Sequence, residues 1–268
     1  MMEYTARYGL EFNPFDKNSK EILYQSEEYK ETVYRLNYLS GINGFGLLTG
    51  LPGRGKTTAV RNWATSLSKS NYKVVYISLS TLSVGDFYRN LATELGAEAA
   101  YRKPENFRRI QEEINRLSIE KRRTPVIIMD EADHISGEVL HDLKMLFNFE
   151  MDSKDRAIVL LVGLPRLNTT LKQSAHEAIR QRIVMNYNLE GLSMEEGRAY
   201  IGEKLRGAGC TQSVFEDAAI EAVLNAAAGT PRVISKLCTQ SMVVANSLDL
   251  QTVTADAAMQ AISDCELG

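Results

Sequence analysis

The chain has 268 residues, 44% hydrophobic and 24% charged, with a formal net charge of −3. That length can bury a proper apolar interior, as one large domain or as a core with a small satellite, and no apolar run is long enough to span a bilayer. The acidic balance excludes a protein that coats nucleic acid through bulk charge, so any such contact must come from a local patch.

The N-terminus, Met1-Met2-Glu3-Tyr4-Thr5-Ala6-Arg7, lacks the basic-then-apolar profile of a signal peptide. Cys210, Cys238 and Cys265 are odd in number and far apart, which fits buried or free thiols in a reducing cytoplasm. Residues 1–20 contain Tyr8-Gly9-Leu10-Glu11-Phe12-Asn13-Pro14-Phe15, a segment unsuited to helix and too apolar for a free tail. It is expected to pack on the core as a strap. Apolar Tyr29, Val33, Leu36 and Leu39 recur at helical spacing from Ser26 to Leu39, so a helix should lead into the first strand, Phe45 to Leu48.

That strand runs into Gly50-Leu51-Pro52-Gly53-Arg54-Gly55-Lys56-Thr57, and an amphipathic stretch begins at Thr58. Strand, glycine-rich turn and helix start together aim backbone N–H groups and a helix N-terminus at one point, which is an anion site. Gly-x-x-x-x-Gly-Lys-Thr in this context is a nucleotide-binding loop. Lys56 would reach the β- and γ-phosphates of ATP and the Thr57 hydroxyl would hold Mg²⁺, with Gly50, Pro52, Gly53, Arg54, Gly55 and Thr58 completing the cradle. The N-terminal strap either covers apolar surface or lies over the base of that nucleotide.

Val60, Trp63, Ala64 and Leu67 form one face of the next helix, and Lys73 to Ser78 reads as a second, buried strand. Residues 84–95 and 105–120 are helical in period, interrupted near Lys103-Pro104. Thr124 to Met129 forms a third strand and ends in Asp130-Glu131-Ala132-Asp133. Downstream of a phosphate loop, that pattern assigns Asp130 to the Mg²⁺ shell and Glu131 to activating water, while Ser136 caps the helix from Gly137. A fourth strand, Ala157 to Val162, ends in Gly163-Leu164-Pro165 with no polar side chain at Gly163 or Leu164. After a helix that includes Ala175 to Gln181, Arg180 and Arg182 precede a fifth strand, Ile183 to Leu189. These arginines either face a neighbouring subunit's γ-phosphate or are solvated cations at a helix end.

Beyond Gly191, Ser193 to Leu205, Phe215 to Ala227, Arg232 to Ala245 and Ala255 to Ile262 are all helical in period, with Ser193, Ser213 and Thr254 placed as N-caps. The expected division is an α/β core with its strap over residues 1–190 and an all-helical module over 191–268. Gly229-Thr230-Pro231-Arg232 opens one of these helices with an arginine placed to reach nucleotide phosphates. One segment is locally basic: Arg102, Lys103, Arg108, Arg109, Arg116, Lys121, Arg122 and Arg123 outnumber Glu105, Glu112, Glu113 and Glu120. It reads either as a patch for the DNA backbone or as an exposed charged helix face.

Tyr8-Gly9-Leu10, Asn13-Pro14-Phe15, the phosphate loop, Asp130-Glu131-Ala132-Asp133, Leu161-Val162-Gly163-Leu164-Pro165, Gln181-Arg182-Ile183 and Gly229-Thr230-Pro231-Arg232 together resemble one family. It is that of the AAA+ ATPases of the general-secretion A-protein and transposition-regulator type. The resemblance implies an α/β P-loop NTPase fold with a five-stranded parallel sheet and a C-terminal helical lid. It implies ATP bound between subunits of a homo-oligomeric ring or filament. For the transposition members it implies assembly on duplex DNA, recruitment of a transposase and reset by hydrolysis. The secretion members imply instead an ATPase that drives assembly of a protein complex. They usually carry a membrane span after the ATPase, and a chain ending at Gly268 is expected to fall on the transposition side. The bare Gly163 departs from the general AAA+ pattern, which implies slow, partner-stimulated hydrolysis.

Overall fold

A computed structural model describes residues 3–78, 83–151 and 153–265. In chain order the first half holds α1 (Glu3–Arg7), α2 (Glu27–Ile42), β1 (Gly44–Gly50), α3 (Lys56–Ser66), β2 (Tyr72–Ser78), α4 (Val84–Leu95), α5 (Lys103–Asn115) and β3 (Thr124–Asp130). Then come α6 (Gly137–Leu146), β4 (Ile158–Gly163), α7 (Arg166–Leu171), α8 (Glu177–Arg180), β5 (Ile183–Leu189), α9 (Met194–Gly207), α10 (Asp217–Ala227), α11 (Pro231–Ser247) and α12 (Ala255–Cys265). Two units contain them: Glu31–Leu51 with Lys56–Leu189, and Met1–Lys30 with Pro52–Gly55 and Glu190–Gly268.

The first unit is a five-stranded sheet in the order β2-β3-β4-β1-β5, with every pair parallel. Successive strand residues point to opposite faces, and here both faces are covered. Val75, Ile77, Ile127, Met129, Val159 and Leu161 pack with Leu91, Ile110 and Leu143. On the other face Val126, Ile128, Leu160, Val162 and Leu48 meet Leu36, Leu39, Val60 and Trp63. Two local expectations change. Helix over 105–120 becomes α5 followed by a π turn at Arg116–Glu120, and Pro104 lies in the first turn of α5, where its missing N–H has no intrahelical partner to lose. Helix over 175–181 becomes a 3₁₀ turn at Ser174–His176 and the single turn of α8.

Parallel strands bring all their C-terminal ends to one edge, and in such sheets that edge carries the ligand crevice. Gly50 and Asp130 end β1 and β3 there, with β4 between those two strands.

The second unit joins α9 to α12 with the N-terminal segment. Ser193 and Glu196 close a reciprocal capping box that starts α9. Ser213 caps nothing: its hydroxyl donates to Phe215 O, Phe215 bridges to Val253, and α10 starts only after Glu216. Thr254 Oγ1 accepts from Ala257 N as expected of a cap. The strap is grouped with the helices rather than with the α/β core. Tyr4, Tyr8, Leu10 and Phe15 are buried with Tyr200, Ile201, Cys238 and Val244 in one apolar cluster. Asn13 fixes the turn: its Oδ1 accepts from Phe15 N at 3.0 Å, and its amide donates to Tyr4 Oη and Thr239 Oγ1.

Candidate functional site

The loop after β1 turns tightly, with Gly53 at φ +77 and Gly55 at φ +98, a left-handed backbone that glycine adopts without strain. Lys56, first residue of α3, folds its side chain back so that Nζ donates to Gly50 O at 2.7 Å and Leu51 O at 3.0 Å. Thr57 and the half-buried Thr58 follow in the first turn of that helix. Thr57 Oγ1 donates to Asp130 Oδ2 at 3.1 Å, so the phosphate loop and the end of β3 meet through a hydroxyl and a carboxylate.

Asp130 is buried and fully engaged: Oδ1 accepts from Glu131 N at 2.9 Å, and Oδ2 also accepts from Tyr76 Oη at 2.8 Å. Burial first, then the hydrogen bond to Asp130, pushes the Tyr76 phenol well above its ordinary value, so it remains a donor. Glu131 is exposed and stands at φ +55, ψ 35, a left-handed conformation rare outside glycine, which turns its side chain away from the direction β3 would give it.

Asp133, the last acid of the Asp130-Glu131-Ala132-Asp133 motif, takes a role that its contacts across the fold define. With a side chain only 2% exposed, Asp133 accepts from Leu164 N at 3.0 Å and pairs with Arg166 at 2.6 Å, and His134 adds a ring contact to the same guanidinium. A Cβ at Gly163 would lie 2.8 Å from Asp133 Oδ1, so the bare strand end is what admits this carboxylate. Burial raises the Asp133 pKa, but the Leu164 N–H and Arg166 outweigh it and hold the carboxyl below its usual range. Its stabilising effect is therefore present above the unfolded carboxylate pKa of about 3.9 and lost as pH falls through the lower folded value. Asp133→Asn is expected to lower the unfolding free energy at pH 7 by about 1–3 kcal/mol. It should also flatten the acid limb of stability, measured by thermal unfolding from pH 3 to 7.

A polar chain lies beneath the loop: Asn168 Nδ2 donates to the buried Thr49 Oγ1 at 2.8 Å, which donates to Asn188 Oδ1 at 3.0 Å. Sequence signals missed it, since each residue comes from a different element.

Within the helical unit, Pro52 is exposed and Arg54 is half-buried. Arg54 Nη1 donates to Gly229 O at 3.4 Å, and a side chain at Gly191, φ +105, would collide with that guanidinium. Arg232, exposed at the start of α11, donates its backbone N–H to Gly53 O at 3.4 Å.

The two arginines before β5 part company. Arg182 is 12% exposed; its guanidinium donates to Lys144 O, Phe147 O and Asp155 and stands 5.5 Å from the Phe45 ring centre. Within its own chain these contacts hold the Arg182 guanidinium in place. Arg180 is exposed and donates to Lys172 O at 2.9 Å. Ile183 pairs with Phe45 and Leu189 with Gly50, so Arg180 sits at the far end of the strands, roughly 20 Å from the loop.

Most cations of the basic segment have partners within the chain. Lys103 pairs with Asp142, Arg108 with Glu112, Arg109 with Glu98 and Arg116 with Glu113, and Arg123 donates to Tyr72 O. Arg102, Lys121 and Arg122 have no ion pair among the described residues. Arg102 lies at one end of the helix and the other two at its far end, roughly 27 Å away.

Residues 42–171 match the AAA domain. The chain is 32% identical over 249 residues to general secretion pathway protein A of Aeromonas hydrophila, covering 90% of this chain and 45% of that protein. It is 31% identical over 122 residues to the ATP-dependent target DNA activator B of Escherichia phage Mu, covering 46% of this chain and 37% of that protein. The chain thus spans less than half the length of either relative. Among solved structures, Cdc6p from Pyrobaculum aerophilum superposes with a TM-score of 0.68 at 15% identity, over 95% of this chain and 71% of that one, a likeness of fold.

Proposed function

We propose that this chain, whose residues 42–171 match the AAA domain, is an AAA+ P-loop ATPase that acts as an ATP-dependent DNA-binding regulator of DNA transposition. It assembles on target duplex, recruits or activates a transposase, and is reset by hydrolysis. The observation that carries the catalytic half is the grouping of Lys56, Thr57, Asp130 and Glu131 at the C-terminal ends of β1 and β3. Lys56 binds the β- and γ-phosphates, and Glu131 orients and deprotonates the attacking water. One hydroxyl and one carboxylate suit a Mg²⁺ that arrives with its nucleotide, and that ion would neutralise charge on the phosphates. Among the described residues no cluster of three His, Cys, Asp or Glu side chains could hold a metal by itself. Arg232 beside Gly53 contacts phosphate from the lid, and Arg180 is the arginine that acts on the nucleotide of an adjoining subunit.

The DNA half is supported by the Mu relative, whose name describes a target DNA activator. The candidate backbone contacts are Lys121 and Arg122 at one end of their helix and Arg102 at the other. A second reading, an ATPase that drives assembly of a protein complex without touching DNA, is favoured by the longer match, 90% of this chain, to general secretion pathway protein A. Filter binding to duplex DNA at low salt separates them. The transposition reading expects retention with a non-hydrolysable ATP analogue and little without. Replacing Lys121 and Arg122 with Glu should weaken that retention and lower its salt dependence. No retention in either case counts for the second reading, and equal retention with and without nucleotide counts against ATP-dependent DNA binding.

A further inference from the structure

We propose that Tyr76 is a positioning residue for the metal-supporting carboxylate of Asp130; the inference rests on the reading of Thr57 and Asp130 as the Mg²⁺ side of the nucleotide site. Tyr76 stands on β2 opposite Ile128, while Asp130 is paired with Ser78 two residues further along. Residues related this way lie on one face of a sheet about 7–8 Å apart, a gap a tyrosine spans and a shorter side chain does not. The observed result is a 2.8 Å hydrogen bond from Tyr76 Oη to Asp130 Oδ2, the same oxygen that accepts from Thr57.

Satisfying the carboxylate does not require this third donor. Asp130 already accepts from Thr57 on one oxygen and from Glu131 N on the other. Nor does core packing explain the residue, because Tyr76 is 47% exposed, whereas Val75 and Ile77 on either side are buried. What the phenol adds is orientation. A carboxylate gripped on Oδ2 from β2 and from α3, and on Oδ1 from its own following peptide, cannot rotate about its terminal bond without breaking one of these contacts. Such supporting hydrogen bonds set how strongly a ligating carboxylate holds its metal, and losing one costs about tenfold or more in metal affinity. Through the Glu131 N–H, the same grip also steadies the peptide that carries the proposed catalytic base.

Tyr76→Phe keeps the ring and removes only the hydroxyl. The test is equilibrium binding of a fluorescent ATP analogue in EDTA and across a Mg²⁺ titration, for the parent, Tyr76→Phe and Lys56→Ala. Tyr76→Phe should bind the analogue in EDTA within about twofold of the parent and require about tenfold more Mg²⁺ for the metal-dependent gain. A thermal unfolding midpoint equal to the parent's confirms that the fold is intact. A Mg²⁺ titration that coincides with the parent's overturns the role of Tyr76 and leaves the nucleotide site standing. A parent whose affinity ignores Mg²⁺ altogether removes the underlying reading of Thr57 and Asp130, and the proposal with it.

Discussion

Glu131→Gln is expected to bind ATP with parental affinity and to hydrolyse it at least about a hundredfold more slowly. The amide preserves size and the left-handed turn at φ +55, so the loop and Asp130 keep their places. It cannot take a proton from water. Glu131 donates its backbone N–H to Asp130 Oδ1, and that contact survives the change. Binding and turnover therefore separate in this variant, as steady-state phosphate release and calorimetric titration with ATP would show. Turnover at the parental rate would mean that another group activates the water.

Lys56→Ala is expected to lose nucleotide affinity itself, by about 10- to 100-fold, since a charge-assisted hydrogen bond contributes about 1.5–3 kcal/mol. The ammonium also clamps the carbonyls of Gly50 and Leu51, so its removal loosens the turn that presents the backbone N–H groups. Titration of this variant with ATP in a calorimeter should give weak heats or none. Unchanged affinity would remove the phosphate-binding role from the loop.

How much of this was legible in the sequence follows from chain distance. The phosphate loop could be read because its parts are contiguous and chemically constrained, and Asp130-Glu131 because it ends a branched, apolar strand after such a loop. The parallel sheet followed from alternating strands and helices, and the capping box from Ser193 and Glu196 three residues apart. Contacts between distant segments were hidden. Tyr76 looks like any strand aromatic until β2 pairs with β3, and Asp133 until β4 brings Leu164 and Arg166 beside it. Arg182 resembled a solvent-facing arginine because the carbonyls that hold it, at Lys144 and Phe147, belong to the end of a helix over thirty residues earlier. Tyr8 joins the helical unit through partners such as Leu250, 242 residues away, which no local periodicity reports. Net local charge misled for a related reason: counting Lys103, Arg109 and their neighbours ignores Asp142 and Glu98, which lie outside the segment but pair with it.

In the proposed mechanism one chemical site drives one assembly event, and the Glu131→Gln variant tests both together. Mixed with duplex DNA, Mg²⁺ and either ATP or ADP, then imaged by negative-stain electron microscopy, it should form regular multi-subunit assemblies on the DNA with ATP and remain dispersed with ADP. Assemblies that are the same with either nucleotide, or DNA left bare in both, would contradict the central claim.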